Sequence, residues 1–195
     1  MTRTRQQFLT RFSLQPLQID DHKAEFQHRA AVVIPLFEQH QQLHVLFTQR
    51  APHLRHHGGQ ISFPGGRYDA ADGDLATTAW RECQEEIGVT PDNLIGALPK
   101  YVSNSGFAIS PYLGWFKQPP KVQPNPSEVD FTFAVPLVHL MNPQHHIRYT
   151  VTRNQRSLDV YWIRWQQDYI WGVTAGIIHT LYSHLFGHTQ TAERT

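Results

Sequence analysis

Apolar positions recur along this chain with two periods, and each predicts a kind of element. In residues 129–135, Val129, Phe131, Phe133 and Val135 alternate with Asp130, Thr132 and Ala134, the period of two of a half-buried strand. Residues 30–37 and 43–48 are denser apolar runs and read as two strands joined by the polar turn Glu38-Gln39-His40. Residues 94–98 and 107–116 read as further strands, and 147–152 with 158–165 as a hairpin around Asn154. The second period is helical. Leu75, Ala79, Cys83 and Ile87 recur every fourth residue, behind the N-cap candidates Asp72 and Asp74 and ahead of Gly88 and Pro91. Phe8, Leu9 and Phe12 suggest a short amphipathic helix near the N-terminus.

Residues 169–187 lack Asp, Glu, Lys and Arg and have the length of a membrane span. His179, Thr180, Ser183 and His184 interrupt the stretch, while Ile170, Ile177, Leu181 and Leu185 fall at helical spacing, so a helix packed on a core is expected. Residues 49–66 form a long glycine-containing loop with one short strand at 60–63. Residues 118–127 hold four prolines and read as a stiff exposed loop. No repeat or low-complexity tract is present. The fold class expected is α/β (α+β), a sheet covered on both faces by helices. One domain should span residues 1–195, with 1–25 as an N-terminal helical extension and 188–195 as a loose tail.

Charge and composition narrow the partners. The formal net charge is +1, so no broad field for nucleic acid or membrane is implied. Of the 17 basic side chains only four are lysine, and arginine suits bidentate contact with phosphate. The single Cys83 excludes an internal disulfide and a cysteine-rich zinc site, and a cytoplasmic setting is the simplest inference. The start of the chain carries Arg3, Arg5 and Arg11 but no apolar run of a secretory signal. An arginine-rich start without acids also suits mitochondrial targeting, but the short helix is preferred.

The chemistry concentrates in the helix predicted after Asp74. Glu82, Glu85 and Glu86 stand at i, i+3 and i+4 and project from one face. Three like charges there repel, and a hard divalent cation held by oxygen ligands would offset that repulsion. Phe63-Pro64-Gly65-Gly66 lies upstream. None of the thirteen histidines forms H-E-x-x-H; His53, His56 and His57 fall in the long loop. Cys83 lies on the apolar stripe and is no candidate nucleophile. Trp115, Trp162, Trp165 and Trp171 are expected in the core.

This stretch resembles the Nudix box, G-x5-E-x7-R-E-U-x-E-E-x-G-U with U apolar. Gly66 matches its first glycine, and Arg81, Glu82, Glu85, Glu86, Gly88 and Val89 match its end. Asp72 replaces the first glutamate, and eight residues instead of seven separate it from Arg81. Both departures resemble the coenzyme A pyrophosphatase-like subgroup. That subgroup also carries L-L-T-x-R-S…R-x3-G-x3-F-P-G-G, similar here to Leu46-Phe47-Thr48-Gln49-Arg50-Ala51 followed by Arg55, Gly59 and Phe63-Pro64-Gly65-Gly66. Ser105-Gly106-Phe107, leading into Pro111, and the run from Ile170 to Gly176 also look like it.

The resemblance implies a Nudix fold, a mixed β-sheet sandwiched between α-helices, with the box as a loop-helix-loop unit. It implies metal-dependent hydrolysis of the pyrophosphate bond of coenzyme A or a derivative. The products would be adenosine 3′,5′-bisphosphate and a 4′-phosphopantetheine species. Glu82 and Glu86, one turn apart, would be the leading ligands of Mg2+ or Mn2+. Glu85 would be a third ligand or hold a water, and the Gly66 carbonyl would complete the set. Glu85 is a candidate general base; Glu128, where the stiff proline loop enters a strand, is either the alternative base or an exposed loop carboxylate. Arg81 would orient a carboxylate. Arg50 and Arg55 would read the 3′-phosphate or make structural ion pairs, and Arg67 is a weaker substrate-binding candidate. The alternatives are hydrolysis of another nucleoside diphosphate derivative, such as ADP-ribose or a dinucleotide, and a Nudix module that binds a nucleotide without hydrolysing it. A small-molecule substrate is expected, with no nucleic-acid or membrane partner; the oligomeric state is left open.

Overall fold

The apolar run near residue 30 becomes the long strand β1 (His28–Gln39), and both of its faces are buried. Ala31, Val33 and Phe37 enter one core while Ala30, Ile34 and Leu36 enter the other, as the alternation of a strand requires. A computed structural model describes residues 4–14, 28–153 and 156–187. β1 runs antiparallel to β2 (Gln42–Arg50) and parallel to β7 (Phe107–Phe116). β3 (Ile61–Ser62) and β5 (Asn93–Ala97) lie at the ends of the order β3-β2-β1-β7-β5. β4 (Gly65–Arg67) pairs with β1, β6 (Tyr101–Val102) with β7, and β8 (Val129–Pro136) with β2, which makes a mixed eight-stranded sheet.

The expected strands are present, with boundaries moved by a few residues. The β1–β2 turn is His40-Gln41, two residues at φ 49° and 60° closed by the pair Gln39↔Gln42, instead of the turn expected over residues 38–40. Two positive φ values match the right-handed twist of the flanking strands. β4 and β6 are additions. β4 holds two glycines in three residues, and its pairing with β1 rather than its own propensity keeps it extended.

Helix α2 (Leu75–Ile87) covers one face of the sheet. Its Ala79, Cys83 and Ile87 pack on Ala31, Val33, Phe37, Leu46 and Phe116. The opposite face is covered by α4 (Gly172–Phe186), by α1 (Arg5–Leu14) and by a second sheet. That sheet is antiparallel: β9 (His146–Arg153), β10 (Arg156–Trp165) and β11 (Asp168–Trp171), in the order β11-β10-β9. Its Ile163 and Ile170 join Ile177, Ile178, Leu181 and Leu185 in one core. Here the sequence expectation needs correction. Ile170 belongs to β11, paired with Ile163, and the chain turns into α4 at Gly172, whose φ is 65°. Trp115 is buried as expected, but Trp171 is exposed and stacks on Trp162 on the outer side of the small sheet. A short helix, α3 (Leu137–Leu140), follows β8. Among the described residues no helix is long and apolar enough to cross a membrane.

The N-terminal helix is bound into the domain. Phe8 and Phe12 are buried, the Phe12 ring lies against Gly96 and His184, and Arg11 Nε donates to the Leu185 carbonyl. The rest of the expected extension, residues 1–3 and 15–25, and the tail at 188–195 lie outside the described residues. Phe8 is fully buried, so Phe8→Ala should cost about 3–5 kcal/mol and lower Tm by roughly 10 °C in a domain of this size. Thermal unfolding followed by circular dichroism measures this; an unchanged Tm would show α1 to be outside the cooperative unit.

Candidate metal centre

Helix α2 carries two stripes and is fixed at both ends. Asp74 is its N-cap and accepts from the Thr77 N–H at 2.7 Å; Gly88, at φ 71°, closes it with its N–H on the Gln84 carbonyl. The proline-rich segment at 118–127 docks on the C-terminal end. The Gln123 N–H donates to the Ile87 carbonyl and the Asn125 N–H to the Glu86 carbonyl, which satisfies acceptors the helix leaves open. The Glu128 and Val129 N–H groups then close onto the Asn125 carbonyl. Glu128 therefore enters β8 at a set position beside α2. The register of β2 on β8 slips between Gln49 and Arg50, next to that point.

With the apolar stripe turned to the sheet, Glu86 is driven inward and its side chain is 2 % exposed. Glu82, one turn earlier, is 14 % exposed, and Glu85 is 50 % exposed. One carboxylate oxygen from each of Glu82, Glu86 and Glu128 lies within 4.8 Å of the others. β4 closes the other side. The Gly65 N–H donates to Glu86 Oε2 at 3.4 Å, and a Cβ added to Gly66 would overlap the Glu82 carboxylate. Only glycine lets the backbone come this close.

A second group of contacts holds the helix to the preceding loop. Arg81 Nε and Nη2 donate to the two carboxylate oxygens of Asp72 at 2.8 and 3.1 Å. Its Nη1 donates to Glu82 and to Glu85, both at 2.9 Å, and Nη2 also reaches the Arg67 carbonyl. The Thr78 hydroxyl donates to Asp72 Oδ2 at 2.7 Å. Asp72 sits in a 3-10 turn, Ala70–Asp72, whose N-cap is Asp69. It does not cap α2, and Asp74 takes that place.

Burial sets the protonation of the centre. It pushes the Glu86 carboxyl up to about 8, against the opposing effect of Arg50, and it raises Glu82 against the hydrogen bond from Arg81. Asp72 moves the other way, held well below the usual carboxylate range by Arg81 and then by Thr78. Burial also pushes the Cys83 thiol up to about 12, which suits an inert core residue. Three converging carboxylates, two of them poorly hydrated, beside glycine backbone form a donor set that fits a hard, oxygen-ligated divalent cation.

The structure thus brings Glu82, Glu86, Glu128 and Gly66 together. Glu85 stands outside that group, drawn to the surface by Arg81. Arg50 reaches in, with Nη1 3.5 Å from Glu86 Oε1. Arg55 is exposed in the loop. Arg67 follows Gly66 on β4 and places its guanidinium over the Phe107 ring, 5.0 Å from its centre, on the side of the α4 core. His57 pairs with Gln60 and His53 with the Ser127 carbonyl. Sequence reasoning left Arg50 open to a structural ion pair and had Arg81 orient a carboxylate, but it did not foresee Glu86 and Asp72 as the partners or the docking of residues 118–127. The Asp72–Arg81 clamp left a signal in the acid nine residues ahead of Arg81.

The NUDIX domain profile matches residues 27–166. Nudix hydrolase NudL of Pectobacterium atrosepticum is 38% identical over 176 residues, covering 89% of this chain and 91% of the relative. The chain belongs to the NUDIX family. The NudL protein of Klebsiella pneumoniae is 37% identical over 177 residues, with the same coverage of both chains. Among solved structures, the NUDIX domain of Shewanella oneidensis NrtR, complexed with ADP ribose, superposes with a TM-score of 0.51 at 22% identity. It covers 71% of this chain and 86% of that one. A MutT/nudix family protein from Enterococcus faecalis gives 0.52 at 14% identity, covering 94% and 75%. Both share the fold. The mixed sheet with α2 on one face and α1 and α4 on the other is thus a Nudix fold, and the curated relatives carry the name Nudix hydrolase.

Two outcomes follow for this Nudix centre. Gly66→Ala should place its methyl group against Glu82 and weaken Mn2+ binding at least tenfold, as expected for a misplaced ligand, while circular dichroism stays native. Calorimetric titration reads the affinity. The second concerns pH. Glu86 has a raised folded pKa, so its contribution to stability is complete below the ordinary value of 4.5 and is lost as pH rises through about 8. The metal-free protein should therefore lose Tm across that window, and Glu86→Gln should flatten the loss; parallel curves for both proteins would refute the assignment.

Proposed function

We propose that the protein hydrolyses the pyrophosphate bond of coenzyme A or a derivative, giving adenosine 3′,5′-bisphosphate and a 4′-phosphopantetheine species. The observation that carries the hydrolytic part is the convergence of Glu82, Glu86 and Glu128 beside the glycine backbone of β4. The choice of coenzyme A rests on residues 46–66, whose resemblance to the coenzyme A subgroup continues without a break into the box. Mg2+ or Mn2+ is the proposed ion. A divalent cation held there would neutralise phosphate oxygens and make a water molecule more acidic. The single buried thiol suits a reducing compartment, and the cytoplasm is the proposed location.

The roles of the side chains follow from their surroundings. Glu86 and Glu82 offer carboxylate oxygens in a poorly hydrated site, where charge interactions are strong. Arg81 turns Glu82 inward and, through Asp72, keeps α2 in register with the loop that carries Gly66. Glu128, at the mouth of the group, is placed to complete the ligand set or to take a proton from water. Glu85, pinned at the surface by Arg81, is the weaker choice for that base. Arg55 is exposed and makes no ion pair with a described residue, so it is the arginine best placed to receive the 3′-phosphate.

The decisive experiment is a product assay on coenzyme A, ADP-ribose, NADH and diadenosine polyphosphates, each with Mg2+ and with Mn2+. Release of adenosine 3′,5′-bisphosphate at the highest kcat/KM supports the proposal; a preference for ADP-ribose or a dinucleotide replaces the substrate, and binding without product makes the domain a silent module. Glu86→Gln should lower kcat by a factor of roughly 100–1,000, the scale of a lost electrostatic stabiliser. Arg55→Ala should raise KM for coenzyme A roughly tenfold or more and leave dephospho-coenzyme A unchanged. Equal losses on both substrates would move Arg55 from the 3′-phosphate to the fold or the pyrophosphate.

A further inference from the structure

Arg50 enters the metal centre from the strand opposite α2, and its main chain is held on every side. Its N–H donates to the Gln60 carbonyl at 2.9 Å, its own carbonyl accepts from the Gly59 N–H at 3.0 Å, and the next N–H, of Ala51, donates to the Glu128 carbonyl at 2.8 Å. The stem of the side chain therefore starts from a fixed point. The head is less confined: the side chain is 27 % exposed, while the Glu86 carboxylate it meets at 3.5 Å is 2 % exposed. Glu82 has Arg81 as its partner. For Glu86 the paired cation among the described residues is Arg50, on the same carboxylate that converges with Glu82 and Glu128. A divalent cation drawn to that group and the guanidinium compete for one anion, and two positive charges at such spacing repel strongly.

We propose that Arg50 is the counter-charge of the centre in its metal-free form, and that its head yields Glu86 to the cation when one binds. The proposal rests on the reading of Glu82, Glu86 and Glu128 as a cation site. It makes Arg50 a positioning residue whose contribution is opposite in sign for the two forms. With no cation, it keeps Glu86 from facing Glu82 and Glu128 uncompensated. With a cation, it is a like charge that must swing outward. The long stem and partial exposure allow that motion without moving β2. A residue that only read a substrate phosphate would affect neither the metal-free protein nor its affinity for the ion.

The test uses Arg50→Met, which keeps an apolar stem and removes the charge, and Arg50→Lys, which keeps charge with a different head. Tm in chelator and the Kd for Mn2+ by calorimetry are measured without substrate. Arg50→Met should lower the metal-free Tm and tighten Mn2+ binding roughly tenfold, the scale of one opposing charge removed from a partly exposed ion pair, and Arg50→Lys should lie between it and the unaltered protein. Arginine-selective nitrogen NMR of the unaltered protein adds a measurement free of any folding defect: Mg2+ should shift the Arg50 guanidinium resonance away from its carboxylate-bound position. Unchanged or weakened Mn2+ affinity in Arg50→Met, or an Arg50 signal indifferent to Mg2+, overturns the proposal while the cation site stands. Absence of Mn2+ binding to the unaltered protein, or binding indifferent to Glu86→Gln, overturns the cation site itself and the proposal with it.

Discussion

Glu86 must carry or conceal a charge where water hardly reaches it, and much of the local structure answers that requirement. An unpaired buried carboxylate is costly, so it either takes up a proton or gathers partners. Here it gathers the Gly65 N–H and the Arg50 guanidinium, yet burial, reinforced by the two other acids nearby, still leaves its carboxyl raised to about 8. These contacts come from four parts of the chain: α2, β4, the end of β2 and the entry to β8. The centre is therefore the point at which these segments have to agree in register.

That agreement depends on how α2 lies on β1. Ala79, Cys83 and Ile87 are fully buried against the sheet, and Glu82 and Glu86 sit one residue round from Cys83 and Ile87. Turning the helix to expose Glu86 would lift the apolar stripe off Ala31 and Val33. Core packing is close and does not deform gradually, so the acidic stripe inherits its position from the apolar one. The loop before the helix adds a second constraint through Arg81 and Asp72, and the proline-rich segment adds a third at the C-terminal end.

The main strands, the acidic helix with its Gly88 cap, and the set of acids were legible in the sequence because each is written locally, as a period, a cap or a spacing. Glu85 shows the limit of that reading. Spacing puts it on the same helix face as Glu82 and Glu86, but the choice of which two turn inward is made by Arg81 and by the sheet, which lie elsewhere in the chain. Glu128 was visible only as an acid where a stiff loop meets a strand, and its approach to α2 depends on hydrogen bonds to helix carbonyls that carry no side-chain signature. β4 and β11 were missed for a related reason: three residues with two glycines, and four residues ahead of a helix, owe their extended form to the neighbours they pair with.

The Asp72–Arg81 clamp and the acids it positions respond to protons at opposite ends of the scale. Asp72 stays ionised far into acid, so its contribution to stability, complete above the ordinary carboxylate value, is lost only at pH values well below it. Glu86 and Glu82 are raised by burial and accept protons early. Mild acid thus discharges these carboxylates while the joint between loop and helix keeps its charge. The metal-free domain can thus hold these carboxyls protonated while the loop–helix joint stays charged, so their charge comes and goes without a cycle of refolding.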